Sequence, residues 1–197
     1  MKGPATLCTA RLLLRPFAPS DATEVHRYVS DRDVAAMTAS IPHPYPDGGA
    51  VTWIEQQARA AARGESIVFA VTALPQGVVG AVGLHPETAH AKAELGYWIG
   101  KPHWRHGYAT EAAQAVVRFG FEELHLERIH ARFMTRNEAS RRVLQKLGFT
   151  REGLLRRDLF RFGEFVDCEL WSLLREEFAA RAAKPAPARR RSRGSVK

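Results

Sequence analysis

An α+β domain with a mixed, mostly antiparallel twisted sheet of about seven strands, flanked by helices, is the fold class this sequence predicts. Three observations support it. Strand-like runs recur along the chain, segments with apolar spacing of three and four lie among them, and helices precede an antiparallel meander that gives way to alternating strand and helix. No repeat or internal linker breaks that order. One domain is therefore placed at residues 7–182, with a basic tail at 183–197.

Taken in order, Thr9 to Arg15 is rich in strand formers and is stopped by Pro16 and Pro19. Asp21 and Glu24 stand three apart ahead of Val25, Tyr28 and Val29, a pattern that predicts a capping box opening an amphipathic helix. Pro42, Pro44, Pro46 and the Gly48-Gly49 pair mark a loop, and Ala50 to Arg63 then places Val51, Ile54, Ala58 and Ala61 on one side of a second helix. Ser66 to Ala73 and Val78 to Leu84 read as a hairpin around Pro75-Gln76-Gly77, and Lys92 to Ile99 is the next strand. From Tyr108 the period changes: Ala112, Ala113, Val116, Val117, Gly120, Phe121 and Leu124 form one stripe on a long helix. Arg128 to Thr135 alternates again. Asn137 to Leu147 is a short helix with Gly148 as its C-cap. Thr150 to Arg156 and Phe165 to Leu174 are the closing strands, followed by a polar helical end.

Composition excludes several classes. At 197 residues, 45% apolar and 25% charged, the chain is neither disordered nor fibrous. It has no apolar run of the roughly eighteen residues that a spanning helix needs, and no apolar core precedes Arg11 as in a secretory signal. Cys8 and Cys168 lack Cys-x-x-Cys spacing and read as reduced thiols, so the cytoplasm is the expected compartment. Of the net charge of +8, six units fall in Lys184 to Lys197, which holds no acid, and the rest of the chain is nearly neutral. The tail reads as a disordered arm, either a weak contact for RNA, ribosome or another polyanion, or a solvated terminus. The eight histidines show no metal-binding spacing, so no metal is expected.

Chemistry concentrates in Gly100 to Ala113, Gly-Lys-Pro-His-Trp-Arg-His-Gly-Tyr-Ala-Thr-Glu-Ala-Ala, which follows a strand and opens the long helix. The turn Trp104 to Ala109 brings successive N–H groups to a helix N-terminus, where unpaired donors and the helix dipole favour an anion. Gly107 permits close approach, and Arg105 and His106 add positive side chains. A phosphate cradle and an unliganded strand-to-helix turn are both consistent with this segment. There is no Gly-x-x-x-x-Gly-Lys-Ser/Thr loop, and Gly77, Gly80 and Gly83 sit within a strand pattern with no helix after them.

The run Ala93-Glu-Leu-Gly-Tyr-Trp-Ile-Gly-Lys-Pro-His-Trp-Arg-His-Gly-Tyr-Ala-Thr-Glu-Ala-Ala113 resembles the GNAT family of acyl-CoA N-acyltransferases. Thr9-Ala-Arg-Leu-Leu-Leu-Arg-Pro-Phe17 and Asn137-Glu-Ala-Ser-Arg-Arg-Val-Leu-Gln-Lys-Leu-Gly-Phe149 are similar to the branch that includes the ribosomal-protein N-terminal acetyltransferases of RimJ/RimL type. In the family's pyrophosphate loop, Gln/Arg-x-x-Gly-x-Gly/Ala, Gly107 and Ala109 match. Trp104 replaces the usual first residue, and Arg105 stands where glycine is common.

The resemblance implies direct transfer of an acetyl group from acetyl-CoA to a primary amine, with no metal, in a V-shaped splay between the fourth and fifth strands. Coenzyme contacts are implied for Tyr97, Trp98 and Ile99, for Trp104, Arg105, His106, Gly107, Tyr108 and Ala109, and for Asn137 and Ser140. Glu94 shares a strand face with Gly96 and Trp98 and is the candidate base; the alternative is a solvated or salt-bridged glutamate. Many relatives place an acidic tyrosine where Leu144 stands. Ser140, in a stripe with Val143, Leu144 and Leu147, is the substitute, unless it bonds back to its own helix. Asn137 caps that helix. Arg141, Arg142 and Lys146 either meet a 3′-phosphate or form a solvated face. The expected acceptor is a protein or peptide α-amine; alternatives are a small amine (polyamine, amino acid or aminoglycoside) or a catalytically silent acyl-CoA sensor. The expected assembly is a monomer or homodimer, with no membrane contact.

Overall fold

Eight strands and six helices are formed by residues 6–183, which the computed structural model describes. In chain order they are β1 Leu7–Cys8, β2 Leu12–Arg15, α1 Ala22–Val29, α2 Arg32–Ala36, α3 Gly49–Arg63, β3 Ile67–Ala73, β4 Gly77–Glu87 and β5 Lys92–Ile99. There follow α4 Tyr108–Glu122, β6 Arg128–Met134, α5 Glu138–Leu147, β7 Thr150–Arg161, β8 Glu164–Leu174 and α6 Arg175–Ala182. One sheet joins them in the order β1-β2-β3-β4-β5-β6-β8-β7. Every neighbouring pair is antiparallel except β5–β6.

The expected α+β class and hairpin order are present, with local differences that have physical causes. The first strand becomes two because Thr9 turns the chain. Its Oγ1 accepts the Leu12 N–H at 2.9 Å and donates to Glu111 at 2.7 Å, taking the place of ladder bonds. The predicted capping box at Asp21 does not form. The Asp21 carboxylate instead receives both Arg15 guanidinium nitrogens, at 2.7 and 2.9 Å, and the Ala18 N–H, while Glu24 pairs with Arg27. On α3 the buried positions are Ala50 and Ile54, and Val51 is exposed. β7 runs on to Arg161 rather than ending at Arg156, because β8 supplies a partner for the extension. Gly148, at φ +88°, ends α5 in the left-handed conformation as expected.

Each sheet face has its own cover. The apolar stripe of α4 (Ala112, Ala113, Val116, Val117 and Phe121) packs against Phe69, Leu84, Ala93, Leu95 and Ile129. On the other face Val25 and Val29 of α1 and Ala50 and Ile54 of α3 enclose a smaller cluster that includes Trp98. Alternation along β5 thus sends Ala93, Leu95 and Ile99 into the α4 core and leaves Glu94, Gly96 and Trp98 on the opposite face.

The break in pairing between β5 and β6 positions the site. The two strands are in register only from Lys92–Glu94 to Arg128–His130. Beyond that, β5 stays on β4 as far as Ile99, and β6 stays on β8 as far as Met134. The V-shaped opening predicted between the fourth and fifth of the expected strands is this divergence. Among the described residues no helix is long and apolar enough to cross a membrane, and Cys8 (exposed) and Cys168 (buried) are both free. The basic segment Lys184–Lys197 lies outside the described residues.

Phe121 is 1% exposed and stacks on Phe178 at 4.9 Å, so Phe121→Ala is expected to cost about 3–5 kcal/mol in chemical denaturation. At the sheet's far side the Arg128 guanidinium, assisted by Ser172, overcomes the opposing push of burial and holds the Glu152 carboxyl down at about 2. A depressed carboxyl stabilises the fold above its unfolded value near 4.5 and loses that contribution as pH falls towards about 2. Glu152→Gln should therefore flatten the loss of stability across that acid window, as measured by denaturation midpoints at stepped pH.

Candidate active site

The splay opens into a cavity of about 570 Å³. Its walls come from α1, the chain from Met37 to Tyr45, strands β4, β5 and β6, and the first turns of α5. Glu94, Tyr97, Trp98 and Ser140 all line it. Ile99, Asn137 and the turn Trp104–Ala109 are not in its wall. The residues singled out from sequence thus divide into a cavity group and a turn group, linked by the end of β5.

Glu94 is half-buried and forms no ion pair or hydrogen bond among the described residues. Its neighbours across the ladder are His85 on β4 and His130 on β6. Tyr97, three residues past the last β5–β6 pair, reaches across the opening to α5, its hydroxyl donating to the Ser140 carbonyl at 3.5 Å. Burial pushes the Tyr97 phenol up to about 12. The Ser140 N–H is capped by Asn137 Oδ1 at 3.0 Å, and no bond from the Ser140 hydroxyl to its own helix is found among the described residues. Asn137 is 7% exposed, and its amide also donates to the Met37 carbonyl at 3.0 Å. Arg161, reaching in from β7, donates to the Ala35 and Ile41 carbonyls. These two side chains hold the segment after α2 over the cavity.

At the end of β5 the Trp104 indole N–H donates to the Ile99 carbonyl at 2.6 Å, folding the turn back on the strand. Arg105 and Gly107 both adopt positive φ, +65° and +82°, and Gly107 is the N-cap of α4. This curl directs the first-turn N–H groups of Tyr108, Ala109 and Thr110, which have no intrahelical acceptor, away from the helix. The His106 side chain folds back onto the turn itself. Its Nδ1 lies 2.8 Å from the Trp104 carbonyl, and its ring stacks on Tyr108. On α5, Arg141 pairs with Glu138 and Glu169.

Arg11 and Glu111 also belong to the turn, although sequence reasoning gave them no part in it. Arg11 donates to the His106 carbonyl at 3.0 Å, lies over the Tyr108 ring at 5.1 Å and pairs with Glu111 at 2.6 Å. Burial pushes the Glu111 carboxyl up, but hydrogen bonds from Thr9 and Arg11 outweigh it and hold the group below its ordinary value. The partners are about a hundred positions apart, and no local pattern marks them. His85 and His130 were likewise missed, since strand register has no spacing signature.

The divergent strands leave one edge of β5 unpaired beyond Glu94. Its free N–H and C=O groups suit the amides of an extended acyl carrier, and the curled turn beyond suits a pyrophosphate. These are features of a CoA-dependent acyltransferase. Residues 11–150 match the acetyltransferase (GNAT) domain model; the chain belongs to that family and is an acyl-CoA-dependent N-acetyltransferase, with acetyl-CoA as cosubstrate. It is 33% identical over 177 residues to the uncharacterized N-acetyltransferase p20 of Bacillus licheniformis, covering 88% of this chain and 98% of that one. To the uncharacterized N-acetyltransferase YoaA of Bacillus subtilis (strain 168) it is 41% identical over 99 residues, 50% of this chain and only 56% of that protein. RimL, the ribosomal L7/L12 α-N-protein acetyltransferase solved with coenzyme A, shares the fold (TM-score 0.80, 16% identity, 88% of this chain and 99% of that one).

A β-branched side chain at φ +82° is strained by about 1–2 kcal/mol. Gly107→Val is thus expected to weaken coenzyme A binding at least about tenfold by titration calorimetry, the added Cβ also lying 3.3 Å from Arg11 Nη2, which is held by Glu111.

Proposed function

We propose that this enzyme acetylates the α-amine of a protein or peptide by direct attack on acetyl-CoA, with Glu94 as the base and Ser140 beside the departing sulfur. The observation that carries the reading is a carboxylate without an ion pair among the described residues, on the wall of the cavity entered from the splay, with the Ser140 turn of α5 also in that wall. The acceptor arrives as an ammonium ion. Glu94 takes one proton, directly or through water, and the free amine attacks the thioester carbonyl. An N–H of the free β5 edge between Tyr97 and Ile99 polarises that carbonyl, and the thiolate leaves as it gains the second proton from nitrogen. Tyr97, Trp98 and Ile99 hold the pantetheine arm together with Asn137. Trp104, Arg105, His106, Gly107, Tyr108 and Ala109 hold the pyrophosphate, mainly through main-chain N–H groups.

A mostly apolar wall (Val25, Val29, Met37, Tyr45, Trp53, Phe133) supports an acceptor with a neutral side chain next to its amine. RimL, which shares the fold, is an α-N-protein acetyltransferase of ribosomal L7/L12. One observation favours a small amine instead: the segment after α2 is fastened over the cavity by Asn137 and Arg161, which limits the size of an entering group.

Thiol release from acetyl-CoA in the presence of free-amine octapeptides, the same peptides N-terminally blocked, spermidine and an aminoglycoside separates these readings. Turnover of the free peptides alone is expected. Turnover of spermidine or the aminoglycoside alone overturns the protein acceptor, and coenzyme binding without any turnover leaves a silent acyl-CoA binder. Glu94→Gln should lower kcat by about 10²-fold or more with KM for acetyl-CoA little changed, and Ser140→Ala should lower it by about tenfold.

A further inference from the structure

Strand register builds a row of side chains around Glu94 that no sequence spacing reveals. His85 of β4 lies directly opposite Glu94, His130 of β6 lies on its other side, and Ser172 of β8 lies beyond His130. Side chains at paired positions share a face and stand about 4.5–5.5 Å apart at Cβ. His85, Glu94 and His130 therefore occupy the face bearing the cavity, and His85 and Glu94 are in its wall. Gly96, next on that face of β5, has no side chain to exclude the His85 ring, whose Nε2 lies 3.9 Å from where a Cβ would be. The three groups do not converge closely enough to hold a metal ion.

The charges facing this row are already engaged with one another, Glu94 excepted. Glu87 pairs with Lys92 at 3.0 Å, and Glu152 takes Arg128 at 2.6 Å together with the Ser172 hydroxyl at 2.6 Å. That leaves Glu94 and the two imidazoles. His130 Nδ1 is buried and has no hydrogen-bond partner among the described residues, an expensive state for a polar atom unless it serves a purpose. Burial lowers the His130 pKa; Arg128 and Lys92 act in the same direction, while Glu94 and Glu87 oppose them. The ring is consequently neutral at pH 7 and able to accept a proton.

We propose that His130 is a positioning residue for the Glu94 base: it holds the proton that Glu94 takes from the acceptor ammonium, and Glu94, which stands between the two imidazoles, then passes that proton to His85 on the exposed side, which returns it to solvent. This rests on Glu94 being the base. Two protons leave the acceptor nitrogen in each turnover. As the N–C bond forms and the C–S bond breaks, one ends on the coenzyme thiol; the other passes from Glu94 to His130, and back through Glu94 to His85 and solvent. Without this path Glu94 must discharge directly into a mostly apolar cavity between turnovers.

The test has two arms on the full-length protein. In the first, the His130 ring resonance of histidine-labelled enzyme with coenzyme A bound is titrated by NMR from pH 5 to 9, in the native chain and in Glu94→Gln. The His130 midpoint is expected to lie below that of a free histidine and to fall further in Glu94→Gln. An unchanged midpoint overturns the coupling, and this arm needs neither an acceptor nor a His130 variant. In the second, thiol release with a free-amine octapeptide is followed against pH for native, His130→Gln, His85→Gln and Glu94→Gln enzymes. His130→Gln is expected to lower kcat at pH 7 by about tenfold, to leave KM for acetyl-CoA within about twofold, and to recover above pH 9, where the amine arrives already deprotonated. His85→Gln should shift the same profile less. A His130→Gln profile that coincides with native overturns the relay while leaving Glu94 in place; a Glu94→Gln profile that coincides with native overturns the base reading itself.

Discussion

The site depends on the divergence of β5 from β6 after three paired residues. Each strand is retained by its other neighbour: β5 by β4 along its whole length, and β6 by β8 along its whole length. The ladder can therefore open without orphaning more than one edge of either strand, and that edge is where an acyl carrier's amides find partners. The α4 core closes the back of the opening. Its stripe packs under both strands, on Ala93 and Leu95 of β5 and on Ile129 and Ala131 of β6, and holds them together where their hydrogen bonds no longer do.

Two fastenings then shape the opening for chemistry. At one end Arg11 and Glu111 tie the β1–β2 corner to the curled turn before α4, so that the turn's conformation is held from outside. Trp104 fastens the same turn to the last carbonyl of β5. At the other end Asn137 serves two elements at once, capping α5 through Oδ1 and holding the Met37 carbonyl through its amide. A side chain that caps the helix carrying Ser140 and also retains the cover of the acceptor cavity links the coenzyme side of the cleft to the acceptor side.

Polar groups are placed with corresponding economy. Glu169, 7% exposed, is satisfied by Trp171, Arg141 and Arg151, and this is why Arg141 is not free on the α5 surface. Asp21 is enclosed by Arg15 and the Ala18 N–H. Against these closed networks, a Glu94 with no ion pair and a His130 with an unpartnered ring nitrogen stand out among the described residues, and both lie at the root of the splay.

Much of this was legible in the residues themselves. The α4 stripe, the α5 helix with Asn137 and Gly148 at its ends, the β3–β4 hairpin and the turn before α4 are all local patterns, set by propensity, periodicity and cap chemistry within a dozen residues. So was the presence of Glu94 on the face opposite Ala93 and Leu95, because a strand alternates whatever its partners are. The breakdowns came where a partner outside the element overruled the element's own rule. Thr9 and Asp21 gave their side chains to Glu111 and Arg15, and β7 extended because β8 was there to pair with it. His85, Glu94 and His130 span 46 positions in the sequence and meet only through the registers of β4 on β5 and β5 on β6. Register is set by which apolar face each strand buries against α4 and by its neighbours in the sheet. It is a property of the assembled core, and no single segment of the chain encodes it.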